Sequence, residues 1–112
     1  MSSGTCFSSG VKTADAIIFK GRCKLISIHA TTVTSGVFTV KVYDSADGTG
    51  LGSGNEIEVA RMQIYSNGTT ATSQEYDMHG RVCDNGLYVD VTGTGTYSIE
   101  YLRMQDTDIR LH

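Results

Sequence analysis

The stretch "GVFTVKVYD", residues 36–44, places an apolar residue at every second position. Phe38, Val40 and Val42 fall on one face of an extended chain, because successive side chains of a β-strand point to opposite sides. The other face carries Val37, Thr39, Lys41 and Tyr43. β-Branched and aromatic residues favour strands, so this stretch predicts a β-strand with one buried face.

Similar segments lie on both sides of it. "ADAIIFKG" (14–21) and "GRCKLISIHATT" (21–32) are rich in β-branched residues and predict two strands. In the second of them, one face is expected to carry Ile26, Ile28 and Ala30. "NEIEVARMQIY" (55–65) contains good helix formers, but its apolar residues alternate with glutamate, so a strand is predicted there as well.

Two glycine-containing turns are predicted to close hairpins. Asn67–Gly68, within "SNGTTATS" (66–73), is a dipeptide typical of two-residue hairpin turns. "TGTG" (92–95) separates "GLYVDV" (86–91) from "TYSIEYLR" (96–103), and both of these segments alternate. The two segments are therefore expected to pair with each other.

The whole pattern predicts an all-β fold. Seven or eight short strands with turn signals between them indicate an antiparallel β-sandwich or a jelly-roll-like barrel. Residues 11–104 are expected to form one β-sandwich domain, since 112 residues suffice for a single core. The Ser/Gly-rich residues 1–10 predict a polar N-terminal arm, and residues 105–112 a C-terminal tail that forms an edge strand or reaches a neighbour.

The charge pattern argues against a nucleic-acid partner. The formal net charge is -3, and the nine basic residues are dispersed, whereas proteins that bind a phosphate backbone concentrate Lys and Arg on one surface. Lys20, Arg22 and Lys24 are the exception. Their spacing predicts one face of a strand, serving as a solvated edge or as a salt bridge between subunits.

A membrane partner is not expected either. No apolar run approaches the roughly 18 residues of a membrane span, and residues 1–10 lack the basic start and apolar stretch of a secretory signal. Synthesis in a cytoplasm is therefore predicted. Cys6, Cys23 and Cys83 cannot all pair within one chain and have no C-x-x-C spacing, which predicts reduced, structural thiols.

The glycine-rich stretch "YDSADGTGLGSGNEI" (43–57) contains glycines at 48, 50, 52 and 54. This spacing fits neither a dinucleotide-binding G-x-G-x-x-G nor a P-loop, which ends in G-K-[ST]. The stretch is therefore predicted to turn the chain and present a flexible tip. Asp44, Asp47 and Asn55 flank it, and they are expected to cap turns or, alternatively, to line a cation or sugar site.

No pattern in the sequence predicts catalysis. Of the histidines and cysteines, His79 and Cys83 alone have a spacing typical of metal ligands, and a second pair is missing. The "GLGSG" motif (50–54) does not match the nucleophile elbow G-x-S-x-G. Carboxylates are plentiful, but no tryptophan is present to stack a sugar ring. We therefore predict a protein that is not an enzyme and has no cofactor.

Three segments carry a resemblance to a known class of proteins: "CKLISIHATT" (23–32), "VFTVKVYDSADGTGLGSGNEI" (37–57) and "GLYVDVTGTGTYSIEYL" (86–102). In this order they resemble small β-sandwich virion structural proteins of tailed bacteriophages, particularly marine and cyanobacterial ones. The resemblance extends over about three quarters of the chain, from residue 21 to residue 102, and residues 58–83 depart from it.

The resemblance implies a structural protein of the virion that acts as a decoration, cement or knob subunit on the capsid surface or tail. It implies the major capsid protein or other virion proteins as partners, and self-assembly, often as a trimer. Aromatic residues are enriched at interfaces, so Tyr43, Tyr88 and Tyr101 are the tyrosines expected there. The alternative is a carbohydrate- or receptor-binding module of a tail fibre, in which Asp44, Asp47, Asn55 and Tyr43 line the site.

Overall fold

The structure is a computed structural model that describes residues 6–48 and 58–104. These residues form eight β-strands and no helix. In chain order the strands are β1 Phe7–Ser8, β2 Ala16–Lys20, β3 Cys23–Thr32, β4 Gly36–Tyr43, β5 Glu58–Ser66, β6 Thr72–Cys83, β7 Gly86–Thr92 and β8 Thr96–Arg103. The strand predicted at 55–65 is therefore confirmed as β5, rather than the helix that its composition also allowed.

The strands form two four-stranded antiparallel sheets that pack face to face. One sheet has the order β1-β8-β3-β6, and the other has the order β2-β7-β4-β5. Four of the pairings are nested along the chain: β1 with β8, β2 with β7, β3 with β6 and β4 with β5. This nested pairing is that of a long hairpin folded over itself, which is a jelly roll. In it, most strands that follow each other in the chain lie in opposite sheets. The predicted all-β sandwich is thus confirmed.

The core lies between the sheets and follows the alternation in the sequence. Phe38, Val40 and Val42 of β4 are completely buried, as predicted. Leu87 and Val89 of β7 lie beside them in the same sheet. The facing sheet contributes side chains of β3 and β8, among them Leu25, Ile28, Tyr97 and Ile99. Full burial of an aliphatic side chain contributes roughly 1.5–3 kcal/mol, so this layer is the main source of stability.

The two predicted hairpins are wrong, although both turns exist. β7 and β8 belong to different sheets, as do β5 and β6. The segment "TGTG" crosses the end of the sandwich, where the hydroxyl of Thr32 donates to the carbonyl of Thr94 at 2.7 Å. β8 pairs with β1 and β3 instead of β7. Two strands on either side of a turn, each with alternating apolar and polar residues, can hydrogen-bond in one sheet. They can equally well lie in opposite sheets with their apolar faces towards a common core, so the alternation does not distinguish the two arrangements.

A bulge changes the phase of β3. The register with both neighbouring strands shifts between Leu25 and Ser27. Because of this shift, Cys23 and Leu25 point into the core before the bulge, and Ile28 and Ala30 point into it afterwards. Ile26 is only half-buried, so the expected face of Ile26, Ile28 and Ala30 is wrong at its first member.

The chain ends and the glycine-rich stretch are described in part. Within residues 6–10 of the predicted arm, Phe7–Ser8 form β1 and pair with β8. The predicted tail, 105–112, lies outside the described residues. Residues 49–57 also lie outside them, between the paired strands β4 and β5. The residues that the structure describes contain no helix long and apolar enough to cross a membrane.

Candidate interaction surface

One sheet face combines charged and aromatic side chains and points away from the core. We call it the outer face: the side of sheet β2-β7-β4-β5 that carries Asp15, Lys41, Arg61, Tyr65, Tyr88 and Asp90. The strands present it because their other side chains, such as Val40, Met62 and Val89, are buried in the core. Residues at every second position of each strand therefore reach this face together.

A row of charges crosses the outer face. Lys41 on β4 pairs in register with Asp90 on β7 and with Arg61 on β5. Asp15 precedes β2, lies close enough to Asp90 to raise the pKa of its carboxyl group, and accepts the backbone N–H of Val91 at 2.8 Å. Acidic groups therefore occupy the β2–β7 half of the face, and the β4–β5 half carries the basic Lys41 and Arg61, with Glu58 paired to Arg61.

The electrostatic environments of two carboxyl groups on this face differ. Partial burial raises the pKa of Asp90, and the neighbouring Asp15 carboxylate raises it further, while Lys41 opposes the shift. Glu58 accepts hydrogen bonds from the guanidinium of Arg61 at 2.7 and 2.8 Å. These hydrogen bonds lower the pKa of Glu58, against a smaller opposite effect of burial. The acidic half thus brings the like charges of Asp15 and Asp90 together, whereas in the basic half Arg61 is paired with Glu58 of opposite charge.

Tyr88 and Tyr43 are neighbours on the outer face, but neither is fully exposed. They pair in register across β7 and β4. Tyr43 is only 4% exposed, so its side chain is buried within the chain, and its expected place at an interface stays a prediction. Tyr88 is half-buried, and Gly48 lies so close to its ring that an added Cβ would be 2.7 Å from it. Burial, with Asp15 and Asp90 nearby, raises the pKa of Tyr88.

The most exposed apolar pair of the outer face was not singled out from the sequence. Val37 and Tyr65 are register partners on β4 and β5, and they are 52% and 61% exposed. The alternation of β4 had placed Val37 on the face opposite to Phe38. Identifying the pair required knowledge that β5 follows β4 in the sheet with this register.

Tyr101 makes ring contacts within the chain, and its expected place at an interface stays a prediction. It lies on β8 in the other sheet, and its ring centroid is 5.9 Å from that of Phe7 and 5.5 Å from that of Phe19. Its half-buried ring packs against the core. Arg103 lies over the Phe7 ring at 4.2 Å, so this aromatic group closes one side of the sandwich.

The basic cluster is not on one strand face. Lys20 ends β2, Arg22 lies in the following turn, and Lys24 belongs to β3 in the other sheet. The prediction of a single basic face is therefore wrong, because a two-residue turn interrupts the spacing that suggested it. Arg22 forms an ion pair with Asp84 at 3.1 Å within the chain.

Asp44 is part of the scaffold. Its carboxylate accepts backbone hydrogen bonds from Asp84, Asn85 and Gly86 at 3.0, 2.8 and 3.2 Å. The predicted turn-capping role thus matches its contacts, although the turn that it caps is the distant β6–β7 connection. Asp47 is exposed, with its backbone N–H 3.4 Å from the hydroxyl of Ser45. Asn55 lies outside the described residues.

The described histidines, His29 and His79, do not belong to a cluster of side chains that could bind a metal ion. His79 is exposed, whereas Cys83 is completely buried. His29 lies 3.5 Å from the Glu75 carboxylate on the outer side of sheet β1-β8-β3-β6. Within residues 6–48 and 58–104, no group of three or more His, Cys, Asp or Glu side chains is placed to hold a metal ion.

A cleft of about 380 Å³ opens at the end of the sandwich where β3 turns into β4 and β7 crosses to β8. Threonine dominates its lining, which includes Thr13, Thr31, Thr34, Thr94 and Thr96. This volume lies within the range of about 300–1,000 Å³ that is typical of small-molecule sites. Its lining residues are threonines, glycines and one valine, without a charged side chain, so it suits a neutral polar ligand better than an ion.

Comparison with known proteins finds no family model that matches this chain and no curated protein of similar sequence. The resemblance to virion proteins therefore stays a prediction, and the function is argued from the fold and the surface.

Proposed function

We propose that this protein is a non-catalytic structural subunit of a tailed-phage virion, which binds the capsid surface or the tail and stabilises the particle. The observation that supports the proposal best is the nested strand order of the jelly roll. This architecture recurs in viral capsid and lectin domains. It joins the sequence resemblance as an argument by analogy, since one fold can serve many functions.

The proposed mechanism needs no reactive group. Each subunit would bury a modest apolar and hydrogen-bonding surface against major capsid protein or other virion proteins. Many copies on one particle would multiply these modest contacts by avidity. The protein would be made in the host cytoplasm and would act in the assembled virion.

Self-association is part of the proposal, and the outer face is its proposed surface. The acidic half, with Asp15 and Asp90, complements the basic half, with Lys41 and Arg61. A second copy that places its basic half against the acidic half of the first would relieve the crowding of carboxylates there. Such a head-to-tail contact is heterologous, and heterologous contacts close into rings such as the trimer that the resemblance implies.

Light scattering of the purified protein tests the self-association. We expect an oligomer whose mass decreases at high salt, because exposed charges are screened within about 10 Å at 0.1 M ionic strength. Lys41→Glu should shift the protein to the monomer. Lys24→Glu, which makes the same change of charge on the other sheet, should not. A monomer at every concentration and salt would contradict this part of the proposal.

Binding to particles tests the virion role directly. Capsids that lack the protein would be mixed with it and separated from unbound chains by sedimentation. Co-sedimentation at a saturating, fixed number of copies, together with greater resistance of the capsids to heat, is the expected result. Absence of binding to both capsids and tails would overturn the proposal.

The threonine-lined cleft favours a second candidate, a carbohydrate- or receptor-binding module of a tail fibre. Its walls offer hydroxyl groups without a metal, so binding would not need Ca²⁺. A glycan array distinguishes the candidates: reproducible hits that Thr34→Val weakens would favour the cleft. Hits that depend on Ca²⁺ and are lost in Asp47→Ala would favour the glycine-rich loop instead.

A further inference from the structure

Two of the three cysteines lie directly opposite each other. Cys23 is the first residue of β3 and Cys83 is the last residue of β6, and they are register partners in the antiparallel pair. Both are completely buried. Residues directly opposite in antiparallel strands have Cα atoms about 4.5–5.5 Å apart. This separation falls within the range of about 4.4–6.8 Å that a disulfide bridges.

The two thiols are neighbours and differ in acidity. Both are free thiols, and each lies close enough to the other to shift its pKa. The neighbouring Cys23 lowers the pKa of the Cys83 thiol, and Arg81 adds to this effect, while burial, Asp44 and Asp84 oppose it. The neighbouring Cys83 and burial raise the pKa of Cys23. Cys83 is therefore the thiol that more readily provides the attacking thiolate.

We propose that Cys23 and Cys83 form a redox-active dithiol, which a small-molecule disulfide such as glutathione disulfide converts to a cross-strand disulfide bond.

The chemistry balances in two exchange steps. The Cys83 thiolate attacks one sulfur of the small disulfide, forms a mixed disulfide and releases one thiolate. Cys23 loses its proton to solvent, attacks the Cys83 sulfur and releases the second thiolate. Two protein thiols are thereby oxidised by two electrons, and one disulfide molecule is reduced to two thiols.

The position of the pair explains how a reagent reaches it. Cys23 follows the Gly21–Arg22 turn, and Cys83 precedes the Asp84–Asn85 turn. Among the strands that the structure describes, β6 lies at the edge of its sheet and pairs with β3. Local opening at this end exposes both thiols without unfolding the core, since strand ends open at lower free energy than core segments.

The bond would fasten the edge strand to the sheet. It closes a loop that runs from β3 to β6 and contains β4 and β5, and cross-links that close long loops restrict the unfolded chain most. In a reducing cytosol the pair stays as thiols. The inference does not depend on the virion proposal, because the geometry belongs to the isolated chain.

The test uses the full chain with Cys6→Ser, which removes the exposed third thiol. The protein is incubated with glutathione disulfide, digested without reduction and analysed by mass spectrometry. The expected result is a peptide that links Cys23 to Cys83, an intact mass lower by about 2 Da, and a urea unfolding midpoint that rises and returns after reduction.

A matched variant controls for glutathionylation. Cys6→Ser combined with Cys23→Ala should stop at the mixed disulfide on Cys83, without the rise in the midpoint. The inference is overturned if the Cys6→Ser protein keeps both thiols free or retains glutathione on either one. Circular dichroism of each variant establishes that it is folded, so a folding defect would not be mistaken for loss of the bond.

Discussion

The carboxylate of Asp44, at the end of β4, accepts the backbone N–H of Asn85 at 2.8 Å. The same carboxylate also accepts the N–H groups of Asp84 and Gly86. One side chain therefore fixes the β6–β7 turn to the start of the glycine-rich connection, 41 residues away in the chain. The β6–β7 turn joins strands of different sheets, and this long-range contact fixes its position.

Replacing Asp44 should destabilise the fold. Asp44→Ala removes three hydrogen bonds to a charged acceptor, while water can still reach the exposed N–H groups of Asp84 and Asn85. We expect a loss of about 2 kcal/mol in the free energy of unfolding, measured with urea. Asp84→Ala is the control: its side chain is 73% exposed and forms a surface ion pair with Arg22, so its loss should be under about 0.5 kcal/mol. Equal losses would contradict the assigned role of Asp44.

The crossing between β7 and β8 should depend on Gly93. Its φ of 96° is one that side chains rarely adopt, and an added Cβ would collide with the carbonyl oxygen of Val37. Gly93→Ala should cost about 3 kcal/mol or more. Gly36→Ala shares the positive φ, at 121°, but its Cβ would meet open space. It should cost only about 1 kcal/mol, from backbone strain alone. The difference between the two variants in thermal unfolding therefore measures the effect of the collision with Val37.

The strands were predictable from sequence because burial follows a local period. The alternation of Phe38, Val40 and Val42 identifies β4 and its buried face without any long-range information. The pairing was not predictable in the same way. Gly93, with its positive φ, lies in a connection that crosses between the sheets. Hairpin turns also use glycine with a positive φ, so the local sequence does not distinguish a crossing from a hairpin. The bulge at Ile26 likewise depends on both neighbouring strands.

The candidate surface was harder to predict than the fold. Lys41 and Tyr43 alternate on the outer side of β4, yet their partners Asp90, Arg61 and Tyr88 come from strands that are distant in sequence. The alternation places Tyr43 on the same face as Lys41 but does not indicate whether that face is covered. Tyr43 is buried although it lies on the outer side of β4. The alternation within one strand does not show which other parts of the chain cover a residue.

Tyr97 should contribute stability that is lost at alkaline pH. Its hydroxyl donates to the carbonyl of Ala14 at 2.7 Å. Burial, with a smaller contribution from Asp15, raises the pKa of Tyr97 to about 12, from 10.0. Between these values the unfolded chain loses the proton more readily than the folded protein does. Stability should therefore decrease from pH 10 to pH 12, by about 2 kcal/mol from this group.

Tyr97→Phe tests this assignment at two pH values. At pH 7 it should cost about 1 kcal/mol, because the Ala14 carbonyl loses its donor. Above pH 10 its stability should decrease less steeply than that of the wild type. Because the wild type starts about 1 kcal/mol higher and loses about 2 kcal/mol more, the two curves should cross before pH 12. Parallel curves would mean that another group, such as Tyr88, causes the alkaline loss.

Removing the charge of Asp90 should stabilise the folded protein at neutral pH. Its raised pKa means that the folded state binds a proton more tightly than the unfolded chain does. Its ionised form therefore lowers stability above the folded pKa, and the penalty disappears as pH falls below the unfolded value of 3.8. Asp90→Asn should increase the free energy of unfolding by about 0.5 kcal/mol at pH 7 and by almost nothing at pH 3. Both proteins must be compared as monomers.

Glu58 should behave in the opposite way on the same face. Arg61 lowers its pKa, so the folded state holds this proton less tightly than the unfolded chain does. The resulting stability is present above the unfolded value of 4.5 and is lost as pH falls through the folded pKa. Glu58→Gln should therefore cost about 0.5 kcal/mol at pH 7 and nothing at pH 2, as measured by urea unfolding. Asp90 and Glu58 share one sheet face and differ chiefly in their charged neighbours. If Asp90→Asn and Glu58→Gln changed the free energy of unfolding with the same sign at pH 7, these neighbours would not be what controls the two carboxyl groups.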